Sequence, residues 1–120
     1  MGLDIYLILE DRETKEVIEY SYYRKFNALQ GYFERLFNLG NGEKVLLSGK
    51  NIDSIYDILN EINYSPERAS EILPTYPGPF FGTYDYDRLY YSYISKAASD
   101  FYHAKFIDFN KYDLYFTSDW

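Results

Sequence analysis

The feature that most constrains this fold is a change of hydrophobic period along the chain. Apolar residues stand at every second position from Leu3 to Leu9, and "VIEYSYY" follows a polar turn, a pattern typical of a β-hairpin. In the middle of the chain the spacing becomes helical, and "YDLYFTSDW" near the C-terminus alternates again. Strands at both ends with helices between them predict an α+β domain. Its antiparallel sheet would combine the N-terminal hairpin, a short middle strand and a C-terminal strand, covered by about three helices.

Three segments carry the helical spacing. The first, "FNALQGYFERLF", ends at the glycines of "LGNG", and "KVLLSG" after it predicts the short middle strand. The second, "NIDSIYDILNEI", starts near Ser48 or Asn51, either of which suits a helix cap. A short turn opened by Pro66 follows. We expect Asp85 or Asp87 to cap the third segment, whose inward residues are Tyr90, Ile94, Ala97, Phe101 and Ala104. The sequence contains no linker or repeat, so we expect residues 1–120 to form one domain.

Composition excludes several classes of protein. The chain has no cysteine, which rules out disulfides, thiol catalysis and cysteine zinc sites. Its net charge is −7 and its basic residues are scattered, so we expect no direct nucleic-acid binding. The first residues resemble neither a signal peptide nor a membrane span, which predicts a soluble protein of the cytoplasm that does not bind membranes. The oligomeric state, including a homo-oligomer, stays open.

The parts needed for catalysis are few. His103 is the only histidine, and its place near the end of a predicted helix is typical of a solvated capping residue. "GNGEKVLLSGKN" has the wrong spacing for a phosphate-binding loop. Asp85 and Asp87 suit either a magnesium ion or a helix cap, and the cap is favoured. We therefore expect a non-catalytic protein without a cofactor. Metal-dependent nucleotide hydrolysis ranks third, behind the two binding functions given at the end of this section.

Two adjacent basic residues suggest an anion site. Arg24 and Lys25 precede the first predicted helix, whose start carries a positive partial charge and usually attracts acidic residues. Together with free backbone amides and Asn27, they would bind a compact anion. The competing interpretation is that Arg24 pairs with one of the many carboxylates.

The segment "LPTYPGPFFG" combines prolines, glycines and aromatic rings. Proline fixes φ and glycine permits the return of the chain, so the segment predicts a rigid loop. We expect Phe80 and Phe81 to anchor it, with Tyr76, Tyr84 and Tyr86 along a rim. Rigid loops with amphipathic rings provide contact area at low entropic cost.

Four stretches, "MGLDIYL", "YYRKFNAL", "LPTYPGPFFGTYDYDRLYY" and "TSDW", together resemble a family of short proteins encoded by phages and prophages. The likeness extends over nearly the whole chain. Two positions depart from the family pattern, which often shows Trp at Tyr23 and His at Gln30. The resemblance implies a viral accessory role in a bacterial host, such as action against host defences.

Two binding functions follow from these observations. The first is a counter-defence protein that binds a small anionic, nucleotide-like ligand: Arg24 and Lys25 hold phosphate, Asn27 contacts a polar edge, and an aromatic ring stacks on the base. The residues predicted to bind the ligand are Arg24, Lys25, Asn27, Thr75, Tyr76, Phe81, Tyr84 and Asp87. The alternative is an acidic inhibitor that binds a host defence protein, as a nucleic-acid mimic or an anti-CRISPR type of protein.

Overall fold

The computed structural model describes residues 2–78 and 81–120, and these form an antiparallel sheet with helices. The strands are β1 (Asp4–Asp11), β2 (Val17–Arg24), β3 (Lys44–Leu46) and β4 (Tyr112–Asp119). The helices are α1 (Asn27–Phe37), α2 (Gly49–Tyr64), α3 (Ala69–Ile72) and α4 (Arg88–Ala104), with a 3-10 turn at Pro66–Arg68 before α3. The α+β class expected from the change of period is confirmed. The one helix beyond the expected three is the four-residue α3.

The sheet places the two terminal strands at its centre. Its order is β2-β1-β4-β3, and every neighbouring pair is antiparallel. The alternation seen in the sequence buries Leu3, Ile5 and Leu7 completely, with Leu114 and Phe116 buried on the adjoining strand. Burial of one such side chain stabilises the fold by roughly 1.5–3 kcal/mol. The N-terminal and C-terminal segments therefore build the same part of the core.

The helices begin where the sequence permits a side-chain cap. Ser48 caps α2 and forms a reciprocal pair of hydrogen bonds with Asn51, and Asp87 caps α4 by accepting the amide of Tyr90 at 3.0 Å. Asp87 is therefore the capping aspartate, and Asp85 is not. No helix in the part of the chain that the structure describes combines the length and apolar composition needed to cross a membrane.

A bulge in β2 ties the edge of the sheet to α4. The register between β1 and β2 shifts by one residue at Tyr20, and the side chains of Tyr20 and Ser21 then both reach Asp100. Ser21 Oγ donates to Asp100 Oδ2 at 2.5 Å, and the hydroxyl of Tyr23 donates to the same oxygen. Burial raises the pKa of the Tyr23 phenol, and the bond to Asp100 adds to this rise. The neutral phenol thus remains a hydrogen-bond donor at physiological pH.

Candidate functional site

A narrow cleft lies where the starts of α1 and α4 meet the loop between α3 and α4. Four of the eight predicted site residues line it: Lys25, Asn27, Thr75 and Asp87. Tyr90 and Tyr93, from the first turns of α4, line it as well. Its interior volume is about 20 Å³, enough for about one water molecule. Only a small chemical group can enter the cleft as it stands.

Lys25 is held in the cleft by an unusual backbone. Its φ is 60°, in the left-handed region, and its amide donates to the carbonyl of Leu3 at 2.7 Å. The aliphatic stem passes between two glycines with positive φ: a Cβ added to Gly2 would lie 3.2 Å from Lys25 Cε, and one added to Gly82 would lie 3.1 Å from Lys25 Cβ. The local structure therefore makes room for the lysine stem on both sides.

The charges around the cleft are mixed. Helix α1 has Phe26 at its N-cap, no side-chain cap and no acidic residue in its first turn, so its first amides keep their positive partial charge. Among residues 2–78 and 81–120, no carboxylate forms an ion pair with Lys25. Two carboxylates also line the cleft, Asp85 and Asp87, although Asp87 already accepts the amide of Tyr90. These surroundings therefore favour a ligand group with one negative charge over a ligand group with two.

Asn27 clamps the loop onto α1. Its side chain is buried, and its Nδ2 donates to the carbonyls of Phe81 at 3.0 Å and Thr83 at 2.9 Å. Its Oδ1 accepts the amide of Tyr76 at 2.9 Å. Both ends of the carboxamide thus bond to loop backbone. Asn27 therefore positions the loop that completes the cleft, a role that its place beside Lys25 in the sequence did not reveal.

Arg24 and Lys25 have different partners, although the ends of both side chains pass close to Gly2. Arg24 is the last residue of β2, and its Nη1 lies 2.9 Å from Asp4 Oδ1. The hydroxyl of Tyr22 donates to the same oxygen at 2.5 Å, and this bond, with help from Arg24, lowers the pKa of Asp4. Arg24 therefore forms the carboxylate pair that the sequence left as an alternative. Lys25 alone of the two basic residues lines the cleft.

The predicted stacking rings do not line the cleft. Phe81 is buried, with its ring centroid 5.7 Å from that of Trp120 and 6.3 Å from that of Tyr76. Tyr76 donates its hydroxyl to Glu34, and the half-exposed Tyr84 bonds to Gly78. The inward packing expected for Phe80 or Phe81 is found at Phe81, and Phe80 lies outside the described residues.

Three rings do line the cleft, those of Phe26, Tyr90 and Tyr93, and all three were missed as site residues. The helical spacing predicted a core position for Tyr90, and Tyr90 is indeed buried, with its hydroxyl donating to Leu73 O at 2.7 Å. Tyr93 is only half-buried, and its hydroxyl donates to the carbonyl of Arg24. Both tyrosines brace the cleft walls, a role that needs the tertiary contacts to be seen.

Few side chains in the described structure are placed for acid–base or metal chemistry. Within residues 2–78 and 81–120, no group of three or more His, Asp or Glu side chains is placed to hold a metal ion. His103 Nδ1 lies 2.7 Å from Ser99 O in the last turn of α4. Comparison of the chain with protein-family models, with curated proteins and with solved structures finds no match. The functional argument therefore depends on the geometry of the cleft.

Proposed function

We propose that this protein is a binding protein that holds the anionic group of a small, nucleotide-like ligand at Lys25. The observation that carries the proposal is the left-handed backbone of Lys25, with its stem packed between two glycines of positive φ. A non-glycine residue in this conformation costs about 1–3 kcal/mol, and such residues cluster at ligand sites. A glycine at this position would avoid that cost, so the presence of lysine there supports a role for its ammonium.

The charge and size of the cleft narrow the class of ligand. The ammonium of Lys25 and the uncapped start of α1 attract an anion, while Asp85 and Asp87 oppose a doubly charged one. A phosphodiester or a carboxylate carries one negative charge and suits this balance. The cleft has room for about one water molecule, so it would admit a charged oxygen of that group, and the rest of the ligand would lie outside it.

The biological setting of this binding is part of the proposal. The resemblance to phage and prophage proteins leads us to propose an accessory, counter-defence role in the cytoplasm of a bacterial host. Sequestration of a signalling nucleotide would serve such a role without any chemistry. The inhibitor alternative, binding of a host defence protein, remains a prediction of the acidic sequence.

Titration calorimetry tests the proposal with a defined panel of probes: inorganic phosphate, acetate, AMP and cyclic AMP. We expect the singly charged phosphodiester to bind more tightly than the doubly charged AMP. Lys25→Gln should weaken binding at least tenfold, because a charge-assisted contact contributes about 1.5–3 kcal/mol. Arg24→Gln is the matched control, since it removes one charge at the adjacent residue but outside the cleft, and it should leave affinity within about twofold.

Two results would contradict the proposal. The first is the absence of heat with every probe at millimolar concentration. The second is an equal loss of affinity in the Lys25→Gln and Arg24→Gln proteins, which would show general electrostatic attraction and no defined site. Thermal melts of both variants confirm that folding is intact before any affinity is compared.

A further inference from the structure

Asp85 lines the cleft that contains Lys25, yet nothing in the described structure binds its carboxylate. The sequence offered this residue as a helix cap, but Asp87 caps α4 instead. Within residues 2–78 and 81–120, the Asp85 carboxylate forms no ion pair and accepts no hydrogen bond. Asp85 is therefore an open hydrogen-bond acceptor in the cleft.

The loop holds the backbone on both sides of Asp85. The hydroxyl of Thr75 donates to the carbonyl of Tyr84 at 2.9 Å, and the amide of Thr75 donates to the hydroxyl oxygen of Tyr86 at 3.1 Å. The amide of Asp85 itself donates to Thr83 Oγ1 at 3.1 Å. A side chain on a backbone fixed in this way binds a ligand at a lower entropic cost than one on a free loop.

Lys25 and Asp85 carry opposite charges in the same small cleft but do not pair with each other. A ligand that bridges them must offer an anionic oxygen to the ammonium and a hydrogen-bond donor to the carboxylate, since an ionised carboxylate only accepts. The cleft has room for about one water molecule. The charged oxygen would therefore enter it, while the donor would stay outside, where the exposed Asp85 can reach it.

A ribonucleotide carries both of these groups on adjacent carbons. In a 3′,5′-phosphodiester, the 2′-hydroxyl stands on the carbon next to the one that bears a phosphate oxygen, and this hydroxyl distinguishes ribose from deoxyribose. Aspartate and glutamate accept ribose hydroxyls in dinucleotide-binding folds. Given the proposed binding of a phosphodiester at Lys25, on which this assignment rests, we propose that Asp85 accepts the 2′-hydroxyl of the ligand and selects ribonucleotides over deoxyribonucleotides.

The open carboxylate gives this selectivity a physical basis. A site that places an acceptor against a hydroxyl binds the analogue without that hydroxyl more weakly, because the acceptor is then left unpaired. Since Asp85 is exposed, water partly replaces the missing partner, and the selectivity is smaller than at a buried acceptor. We therefore expect a preference of about tenfold, at the lower end for a hydrogen bond to a charged group.

Two matched nucleotides test the assignment by titration calorimetry: 3′,5′-cyclic AMP and its 2′-deoxy analogue, which share base and charge and differ by one hydroxyl. We expect the unmodified protein to bind the deoxy analogue about tenfold more weakly, and Asp85→Ala to bind both nucleotides with equal affinity. Asp57→Ala is the matched control, because it removes an exposed carboxylate of α2 that does not line the cleft, and it should keep the preference. Asp85→Ala retains the backbone amide that bonds to Thr83, and thermal melts check that both variants are folded.

The outcomes separate this assignment from the anion site itself. Equal affinity of the unmodified protein for the two nucleotides would overturn the ribose assignment and leave the anion site at Lys25 in place. A preference that survives Asp85→Ala would overturn the role of Asp85, because another group would then bind the hydroxyl. Loss of the preference in Asp57→Ala as well would show an effect of overall charge and no specific contact. Absence of heat with both nucleotides would remove the anion site and the ribose assignment together.

Discussion

Replacement of Asn27 by alanine should detach the loop that completes the cleft. The carboxamide makes three hydrogen bonds to loop backbone, with Tyr76, Phe81 and Thr83. A net value of about 0.5–1.5 kcal/mol for each bond gives a loss of roughly 2–4 kcal/mol of unfolding free energy. The exposed Thr83 carbonyl can bond to water after the change, which places the loss below the upper limit of that sum. We expect the amide of Tyr76 to lose its protection from hydrogen exchange at the same time.

Urea denaturation measures this loss, with Asn41→Ala as the matched control. Asn41 also uses both ends of its carboxamide, but it binds the backbone of Trp120 at an exposed site. Its replacement should cost about 1 kcal/mol or less, because water can substitute for the lost bonds. Two results would refute the reasoning about the buried clamp. One is an unfolding free energy of Asn27→Ala within about 0.5 kcal/mol of that of the unmodified protein, and the other is an equal loss of unfolding free energy in both variants.

Three further predictions concern other parts of the structure. Gly31→Ala should lower the unfolding free energy by about 1–3 kcal/mol in urea, because the new Cβ would lie 2.7 Å from Tyr76 Cβ. The pKa of Asp4 is lowered below 3.8, so its contribution to stability is present above that pH and is lost as the pH falls through the lowered value. The Asp4→Asn protein should therefore lose less unfolding free energy than the unmodified protein between about pH 5 and about pH 2. Asp100→Ala should cost about 2–4 kcal/mol, since the buried hydroxyl of Tyr23 loses its acceptor, and Asp100→Asn should restore part of it.

The fold could be predicted from the sequence because each terminal strand and each long helix has a recognisable local pattern of apolar residues. Alternation marks the terminal strands, and apolar stripes at helical spacing mark the long helices. The stripes of α2 and α4 are buried as expected, at positions such as Ile55, Leu59, Ile94 and Phe101. The order of the strands did not follow from these patterns, because no local feature of the sequence places the C-terminal strand beside the first one.

The candidate site was only half predictable, and the reason is geometric. Neighbours in sequence need not share a function: Arg24 pairs with Asp4, whereas Lys25, in a left-handed backbone conformation, lines the cleft. No sequence pattern indicates a positive φ at a lysine, a conformation normally expected of glycine or asparagine. Asn27 and Thr75 lie close together only because the loop folds back onto α1. The inward turn of Phe81 toward Trp120 likewise depends on the C-terminus, which is distant in sequence.

The excess of tyrosine has a structural explanation. More than half of the sixteen tyrosines use the hydroxyl to join parts of the chain that are distant or separated by a loop. These are Tyr20, Tyr22, Tyr23, Tyr76, Tyr84, Tyr86, Tyr90, Tyr91 and Tyr93. A buried ring with a bonded hydroxyl gains apolar contact and a hydrogen bond together, which suits a small domain with many boundary positions. Tyr56 and Tyr102 differ, because ring contacts hold them: Tyr102 packs against both Tyr56 and Phe106, and the ammonium of Lys105 lies over the ring of Tyr56.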